Sequence, residues 1–181
     1  MKTYLIGVLF FLLLTANLGL LYQNIVLRSQ LTQKLPKSLK IDDKVEEFSG
    51  TKLNGENIVI SYKNSKTKRV FFYFAPACEF CKEQFPIWND LRQNLTTQNY
   101  NFYGLVSNQE EVLNIKNYLQ KMNSSLLSTV QITPTIEKDY KLSFTPTTIV
   151  INDDGVVEKI WIGKWDAKVK KEAYSYFNLS S

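Results

Sequence analysis

The sequence predicts an α/β fold in which a central mixed sheet is flanked by helices and is preceded by one transmembrane helix. Three observations support this prediction. No charged residue occurs from Thr3 to Leu27, a run rich in Leu, Ile, Val and Phe. A continuous run of large apolar residues, Val70 to Phe74, is typical of a strand buried on both faces. Strand and helix patterns then alternate, which implies a sheet built by crossover connections.

The first segment, residues 1–27, is expected to cross a membrane as an uncleaved signal anchor. About 20 apolar residues, at about 1.5 Å each, span a hydrocarbon core of roughly 30 Å. Tyr4 and Tyr22 would lie at its interfaces. A cleaved signal peptide is the alternative, but the apolar run is long and no clear small-x-small cleavage site follows it. Residues 28–40 are expected to be a polar tether, and residues 41–181 a single domain.

The expected location is the cell membrane, with one span and with the C-terminal domain facing the periplasm or the cell exterior. The positive-inside rule taken literally indicates the opposite, because four basic residues follow the span: Arg28, Lys34, Lys37 and Lys40. Large domains, however, are translocated largely regardless of charge. The net charge of +5 is modest and scattered, so no nucleic-acid partner is expected.

The only two cysteines, Cys78 and Cys81, follow the buried strand after a break at Ala75-Pro76-Ala77. Cys78 stands where a helix over residues 78–95 is predicted to begin, and unpaired N–H groups there stabilise a thiolate. The i, i+3 spacing brings Cys81 close enough to resolve a mixed disulfide. A structural disulfide or half of a metal site would use the same spacing, but a strand leading into the motif favours redox chemistry.

The other elements follow from local patterns. Asn54-Gly55 predicts a turn, and residues 57–62 alternate apolar and polar side chains as a half-buried strand does. Residues 64–68 are expected to be an exposed turn. Further strands are predicted at 100–106, 147–151 and 156–162, and helices at 109–122 and 165–179. The segment 124–132 is ambiguous, with a short strand expected around Val130.

The segment from Cys78 to Pro86 resembles the active-site segment of the membrane-anchored thioredoxin-like redoxins of the TlpA/ResA type. The preceding Ala-Pro-Ala is similar to redoxins that mature methylamine dehydrogenase. Pro86, eight residues after Cys78, matches the proline within the active-site helix of thioredoxin-fold proteins. Residues 140–163 are similar to the cis-proline segment and closing hairpin of that fold. The resemblance covers about residues 41–179 and implies a thioredoxin-like fold with an N-terminal β-hairpin extension over residues 41–62.

The resemblance implies a thiol–disulfide oxidoreductase in which Cys78 attacks and Cys81 resolves, with no cofactor and no bound metal. It implies that Thr145 and Pro146 lie opposite Cys78, joined by a cis peptide bond, and offer backbone groups to an extended partner chain. The expected partner is a protein disulfide or dithiol, and the expected state is a monomer. Two further substrate-binding residues are expected beside the cysteines, Ala77 and Phe80.

The sequence also departs from the family pattern. Ala77 and Phe80 replace the tryptophan before the first cysteine and the proline before the second. Gln84 occupies the position of an acidic residue in related anchored proteins, and Phe72 that of the buried aspartate of thioredoxin. Both familiar bases are therefore missing. Glu83 or water could accept the Cys81 proton, although helical geometry favours Glu83 as a solvated surface charge. A slower or more oxidising couple is one hypothesis.

Two other functions remain open from the sequence. The thiolates could carry Cu(I) or another soft metal, or the protein could be a tethered scaffold with a structural disulfide. The chain contains no histidine, which excludes Ser-His, Cys-His and His-metal sites within it. A peroxidase-type redoxin is disfavoured because Ala75 stands where a Thr-x-x-Cys arrangement requires threonine.

Overall fold

A computed structural model describes residues 2–34, 38–63, 66–95, 99–124 and 127–179 of the 181-residue chain. The chain divides into two compact units, Met1–Lys37 and Ser38–Ser181. Lys37, in the expected tether, and Asn64 and Ser65, in an expected turn, lie outside the described residues.

The first unit is the helix α1, Lys2–Lys34. Within it, the 24 residues Ile6–Ser29 have a mean hydropathy of 1.8 and are long and apolar enough to cross a membrane. The helix continues beyond the predicted end of the span at Leu27, so residues 28–34 of the expected tether are helical. Arg, Gln, Leu and Lys are good helix formers, and no proline or glycine occurs between Leu27 and Pro36.

The second unit contains a seven-stranded sheet in the described part of the chain. Its strands are β1 (Phe48–Lys52), β2 (Asn57–Ile60), β3 (Lys68–Tyr73), β4 (Tyr100–Ser107), β5 (Ser128–Ile132), β6 (Thr147–Ile151) and β7 (Val157–Ile162). Its helices are α2 (Glu79–Asn94), α3 (Val112–Lys121), α4 (Pro134–Asp139) and α5 (Ala167–Tyr176).

The strand order is β2-β1-β5-β4-β3-β6-β7. Strands β3, β4 and β5 are parallel neighbours, and all other pairs are antiparallel. Helices α2 and α3 form the crossovers between the parallel strands, as the alternating pattern predicts. The hairpin β1–β2 extends the sheet at one edge, where the N-terminal hairpin was expected. The predicted central mixed sheet flanked by helices is therefore confirmed.

Strand β3 lies inside the sheet, between β4 and β6, and is buried on both faces. Because side chains alternate along a strand, Phe72 and Phe71 enter opposite cores. Phe72 stacks on Trp88 of α2 with ring centroids 4.7 Å apart, and Phe71 packs 6.1 Å from Phe48 of β1. The apolar run from Val70 to Phe74 thus packs into the cores on both faces of the sheet. This packing holds the carboxyl end of β3 in place, where the cysteines follow.

Some elements of the second unit differ from the sequence prediction, among them helices α3 and α4. Helix α4 was not predicted, because its six residues are too few to show a helical period; Thr133 caps it and Pro134 opens it. Helix α3 begins at Val112 rather than at Gln109, since Glu111 has an extended backbone and acts as its N-cap residue. The ambiguous segment contains β5, in which Val130 is fully buried.

Candidate active site

The two cysteines lie at the start of α2, in the segment that follows strand β3. Cys78 is the N-cap residue, with an extended backbone at φ −81° and ψ 112°. Its Sγ accepts a hydrogen bond from the backbone N–H of Cys81 at 3.3 Å. Both thiols are free; Cys78 is half-buried, whereas Cys81 is fully buried. The accessible sulfur is therefore Cys78, and Cys81 lies beneath it on the same helix.

Thr145 and Pro146 lie across from Cys78, in the loop that precedes β6. The peptide bond between them is cis. The Cys78 thiol donates to the carbonyl oxygen of Thr145 at 3.4 Å, so the structure brings these predicted site residues together. Pro146 is buried, and its carbonyl oxygen accepts from the N–H of Gly163 at 2.8 Å. The loop is thereby held from below by the segment that follows β7.

The Cys81 thiol does not ionise readily in this environment. Burial, and to a smaller extent the neighbouring Cys78, raise the pKa of the Cys81 thiol to about 12, although hydrogen bonds from the Ala75 backbone and Thr145 partly oppose the rise. Desolvation has this effect because the charged form loses its hydration. Cys81 is therefore protonated at neutral pH and must lose its proton before it attacks a mixed disulfide.

Apolar side chains remain exposed beside the thiols. Phe80, in the first turn of α2, is 61% exposed; Phe144, next to Thr145, is 43% exposed. Ile162 is 47% exposed and pairs with Thr147, the residue after Pro146. We call Phe80, Phe144 and Ile162 the apolar rim. Phe80 was predicted from the sequence as a substrate-binding residue, whereas Phe144 and Ile162 were not. Phe144 directly precedes Thr145, and Ile162 lies on the strand that pairs with the one after Pro146, so their positions could have indicated them.

Two predicted positions next to the cysteines have little contact with the interior. Ala77 is exposed at the entrance to the helix. Glu83 is half-exposed, and its carboxylate pairs with the ammonium group of Lys164 at the surface. This position agrees with the solvated surface charge favoured by helical geometry. A role for Glu83 in proton transfer remains a prediction.

Gln84 and Phe72 fill the places where related proteins carry acids. Gln84 is fully buried, and its Oε1 accepts the backbone N–H of Trp165 at 2.8 Å. Its Nε2 has no hydrogen-bond partner among the described residues. Phe72 is an apolar core residue stacked on Trp88. These two positions therefore support the fold around the thiols and supply no base.

Two tyrosines near the thiols were not singled out from the sequence. Tyr73, at the end of β3, donates to Glu137 of α4 at 3.3 Å. Tyr118 of α3 is buried in the same core as Cys81. Burial raises the pKa of both phenols. Glu137 and, to a smaller extent, negative charge on Cys81 raise the pKa of Tyr73 further, whereas Cys81 is the next cause after burial for Tyr118. Each was hidden in the sequence among the apolar residues of its element.

A helix that begins with two thiols, one accessible and one buried, opposite a proline loop defines the site of a redoxin with a thioredoxin-like fold. Residues 41–160, more than half of the chain, match the AhpC/TSA family, and the chain belongs to this family. No curated protein matches the sequence.

Solved structures show the same fold. A putative thiol:disulfide interchange protein DsbE from Chlorobium tepidum is 16% identical with a TM-score of 0.63, covering 78% of this chain and 98% of its own. StoA from Bacillus subtilis is 21% identical with a TM-score of 0.56, covering 72% and 98%. A secreted Mycobacterium tuberculosis disulfide oxidoreductase is 17% identical with a TM-score of 0.57, covering 71% and 92%.

The predicted thioredoxin-like α/β fold and the resemblance to this redoxin group are confirmed. The family match and the structural neighbours also support the prediction of a thiol–disulfide oxidoreductase.

Proposed function

We propose that this protein is a membrane-anchored thiol–disulfide oxidoreductase that exchanges disulfides with a protein partner outside the cytoplasm through Cys78 and Cys81. The observation that carries the proposal is the position of Cys78. Its half-buried thiol lies at the N-terminus of α2 and 3.4 Å from the Thr145 carbonyl oxygen, with Cys81 one helical turn below. In this position the Cys78 sulfur is accessible to a partner disulfide, and the Cys81 sulfur is close enough to resolve the mixed disulfide afterwards.

The exchange takes place in two steps. The Cys78 thiolate attacks one sulfur of the partner disulfide, and the other partner sulfur leaves as a thiolate that takes a proton from solvent. The Cys81 thiol then loses its proton and attacks the Cys78 sulfur of the mixed disulfide. A Cys78–Cys81 disulfide forms and the second partner thiolate leaves. Two electrons pass from the protein to the partner; the reverse sequence oxidises a partner dithiol.

The surface around Cys78 suits a polypeptide partner. The apolar rim offers side-chain contacts on three elements, and the Thr145 backbone offers hydrogen-bonding groups to an extended segment. Nearby charges are paired with one another, as Glu79 is with Lys82 at 2.7 Å. An extended segment with apolar side chains beside its cysteine therefore fits this surface better than a strongly charged one.

The anchor is α1, whose apolar span Ile6–Ser29 precedes the redoxin unit. The domain then acts on the outer side of the membrane, where partner disulfides persist. Alkaline extraction of membranes from expressing cells tests this: an uncleaved anchor stays in the pellet at its full mass. External protease should digest the redoxin unit of intact spheroplasts. Release of a shortened soluble form would identify a cleaved signal instead.

The direct test of the function is the reduction potential of the dithiol. The full-length protein in detergent is equilibrated in dithiol buffers, and the free thiols are counted by alkylation. A potential near or below about −250 mV would indicate a reductant, and one near −120 mV an oxidant. A pair that does not exchange in any buffer would overturn the proposal and favour a structural disulfide. Matched Cys78→Ser and Cys81→Ser variants show whether the change in free thiols comes from this pair.

A further inference from the structure

Thr147 is a buried polar residue beside the proline loop, the three residues that precede β6. It opens β6, a strand whose five residues are all buried, and it is itself 4% exposed. Valine has a similar branched shape and would occupy such a site without the cost of burying a hydroxyl. The Thr147 hydroxyl donates to the carbonyl oxygen of Phe144 at 2.7 Å. The side chain thus closes the loop over the two residues between them.

The three consecutive peptide groups of this loop have different partners. The carbonyl of the first accepts from the Thr147 hydroxyl. The carbonyl of the third, that of Pro146, accepts from the N–H of Gly163 at 2.8 Å. The carbonyl of the middle one, that of Thr145, accepts from the Cys78 thiol at 3.4 Å. The peptide group that faces the thiol is therefore held from both sides.

The Thr147 hydroxyl also determines where the Thr145 N–H points. This N–H belongs to the same peptide group as the Phe144 carbonyl, and the cis bond of the loop is the next one along the chain. In a trans peptide group the C=O and the N–H point in opposite directions. The Thr145 N–H therefore points away from the Thr147 hydroxyl. It donates to no group in the described part of the chain, so a partner can accept it.

The next residue, Thr148, provides a comparison within the same strand. It is 1% exposed, and its hydroxyl oxygen accepts from the indole N–H of Trp88 at 2.8 Å. Because side chains alternate along a strand, Thr148 lies on the opposite face from Thr147. Its hydroxyl ties β6 to helix α2 and not to the proline loop. The two adjacent threonines therefore have separate roles.

We propose that Thr147 is a positioning residue for partner recognition, whose hydroxyl turns the Phe144–Thr145 peptide group so that the Thr145 N–H meets a backbone carbonyl of an extended partner segment. The inference rests on the proposed function and specifies the acceptor on the partner. Thr147 acts through Thr145 and exchanges no proton or electron with the partner. Without the hydroxyl, this peptide group is free to rotate, and it must then be ordered when the partner binds.

The test measures binding and chemistry separately. The reduced full-length protein in detergent is mixed with an excess of a disulfide-bonded peptide that has apolar residues beside its cysteine. Free protein thiols are trapped by alkylation at successive times. The dependence of the rate on peptide concentration gives a limiting rate and a concentration of half-saturation. If the reduction potential makes the protein an oxidant, the oxidised protein and the reduced peptide are used in the same way.

Three variants separate the hydroxyl from the packing around it. Thr147→Val deletes the hydroxyl and keeps the branched shape. Thr147→Ser keeps the hydroxyl and deletes a buried methyl group. Thr148→Val is the matched control, because it deletes a buried hydroxyl of the same strand and leaves the Trp88 N–H without its acceptor.

We expect Thr147→Val to raise the concentration of half-saturation about fivefold, as loss of roughly one hydrogen bond predicts. The limiting rate should stay within about twofold, because uniform binding of the partner is what is lost. Thr147→Ser should stay within about twofold of wild type in both quantities. Thr148→Val should do the same, although its melting temperature should fall at least as far as that of Thr147→Val.

Three results would overturn the inference. The first is a half-saturation of Thr147→Val within about twofold of wild type. The second is a serine variant that behaves like the valine variant, which would indicate packing of the methyl group. The third is an equal rise in Thr148→Val, which would indicate general loosening of β6. If the wild type exchanges with the peptide in neither direction, the proposed function fails together with this inference.

Discussion

The backbone N–H of Trp165 donates a 2.8 Å hydrogen bond to the buried side-chain oxygen of Gln84. Gln84 lies one turn after Cys81 in α2, and Trp165 lies in the segment between β7 and α5. The same segment begins with Gly163, whose N–H donates to the Pro146 carbonyl oxygen at 2.8 Å. One stretch of chain therefore supports both sides of the site, the thiol-bearing helix and the proline loop.

Replacing Gln84 should destabilise the protein strongly. Gln84→Ala leaves the Trp165 N–H without its acceptor and creates a cavity beneath the thiols, so we expect a loss of about 2–4 kcal/mol in the free energy of unfolding. Urea unfolding of the reduced protein measures it. Glu83→Ala is the control, because it removes only a half-exposed ion pair and should cost less than about 1 kcal/mol. Equal losses in the two variants would contradict this account.

The roles of the two cysteines separate in a trapping experiment. With 5,5′-dithiobis(2-nitrobenzoate), the wild type should release two thiolates per chain, one on attack by Cys78 and one on resolution by Cys81. Cys81→Ser should release one and retain a nitrobenzoate adduct that mass spectrometry detects. Cys78→Ser should react slowly, because Cys81 is fully buried. A rapid reaction of Cys78→Ser would show that the order of attack is reversed.

Much of this site could be predicted from the sequence because its elements have strong local signals. An apolar run followed by a proline and two cysteines leaves few alternatives to a buried strand that leads into a helix. The turn at Asn152–Gly155 and the β-branched run before it likewise define the closing hairpin. These signals are local, so no knowledge of tertiary contacts is needed to interpret them.

Other features depend on contacts that no local pattern contains. Gln84 and Trp165 are 81 residues apart, and the hydrogen bond between them exists only in the folded chain. Tyr118 belongs to the apolar face of α3 in the sequence. That its hydroxyl has no hydrogen-bond partner among the described residues is visible only in the folded chain. Helix α4 is too short for a periodic signal, yet it provides Glu137, the acceptor for Tyr73.

The reduced protein should lose stability at alkaline pH because of Cys81. Folding raises the pKa of this thiol to about 12, so the folded state holds the proton more tightly than the unfolded state does. The resulting stability is fully present below the unfolded value, about 8.5, and is lost as the pH rises from there towards the folded value. Stability should therefore fall more steeply with pH in the wild type than in Cys81→Ala.

Urea unfolding between pH 7 and pH 10 under reducing conditions measures this difference. The buried tyrosines are present in both proteins, so their contributions cancel when the two curves are subtracted. The packing cost of Cys81→Ala is independent of pH and shifts its curve by a constant. Parallel curves over the whole range would show that the Cys81 thiol ionises as easily in the folded state as in the unfolded chain.

The apolar rim should determine how well the protein recognises its partners. Phe144→Ser removes a large side chain beside Thr145, and the lost contact area predicts about a tenfold fall in kcat/KM for a disulfide peptide with apolar flanks. For a peptide with the same disulfide and charged flanks, kcat/KM should fall less than about twofold. The free energy of unfolding should change by less than about 0.5 kcal/mol, since Phe144 is exposed.

Val59→Ser is the matched control for the rim. Val59 is 62% exposed, as accessible as the rim residues, but it lies on β2 at the edge of the sheet opposite to β7. Its replacement removes exposed apolar area of similar kind at a place that an extended segment bound at Cys78 does not reach. The control should therefore leave kcat/KM for both peptides unchanged. If Phe144→Ser lowers kcat/KM for both peptides by the same factor, the rim acts on the chemistry of Cys78 and not on recognition.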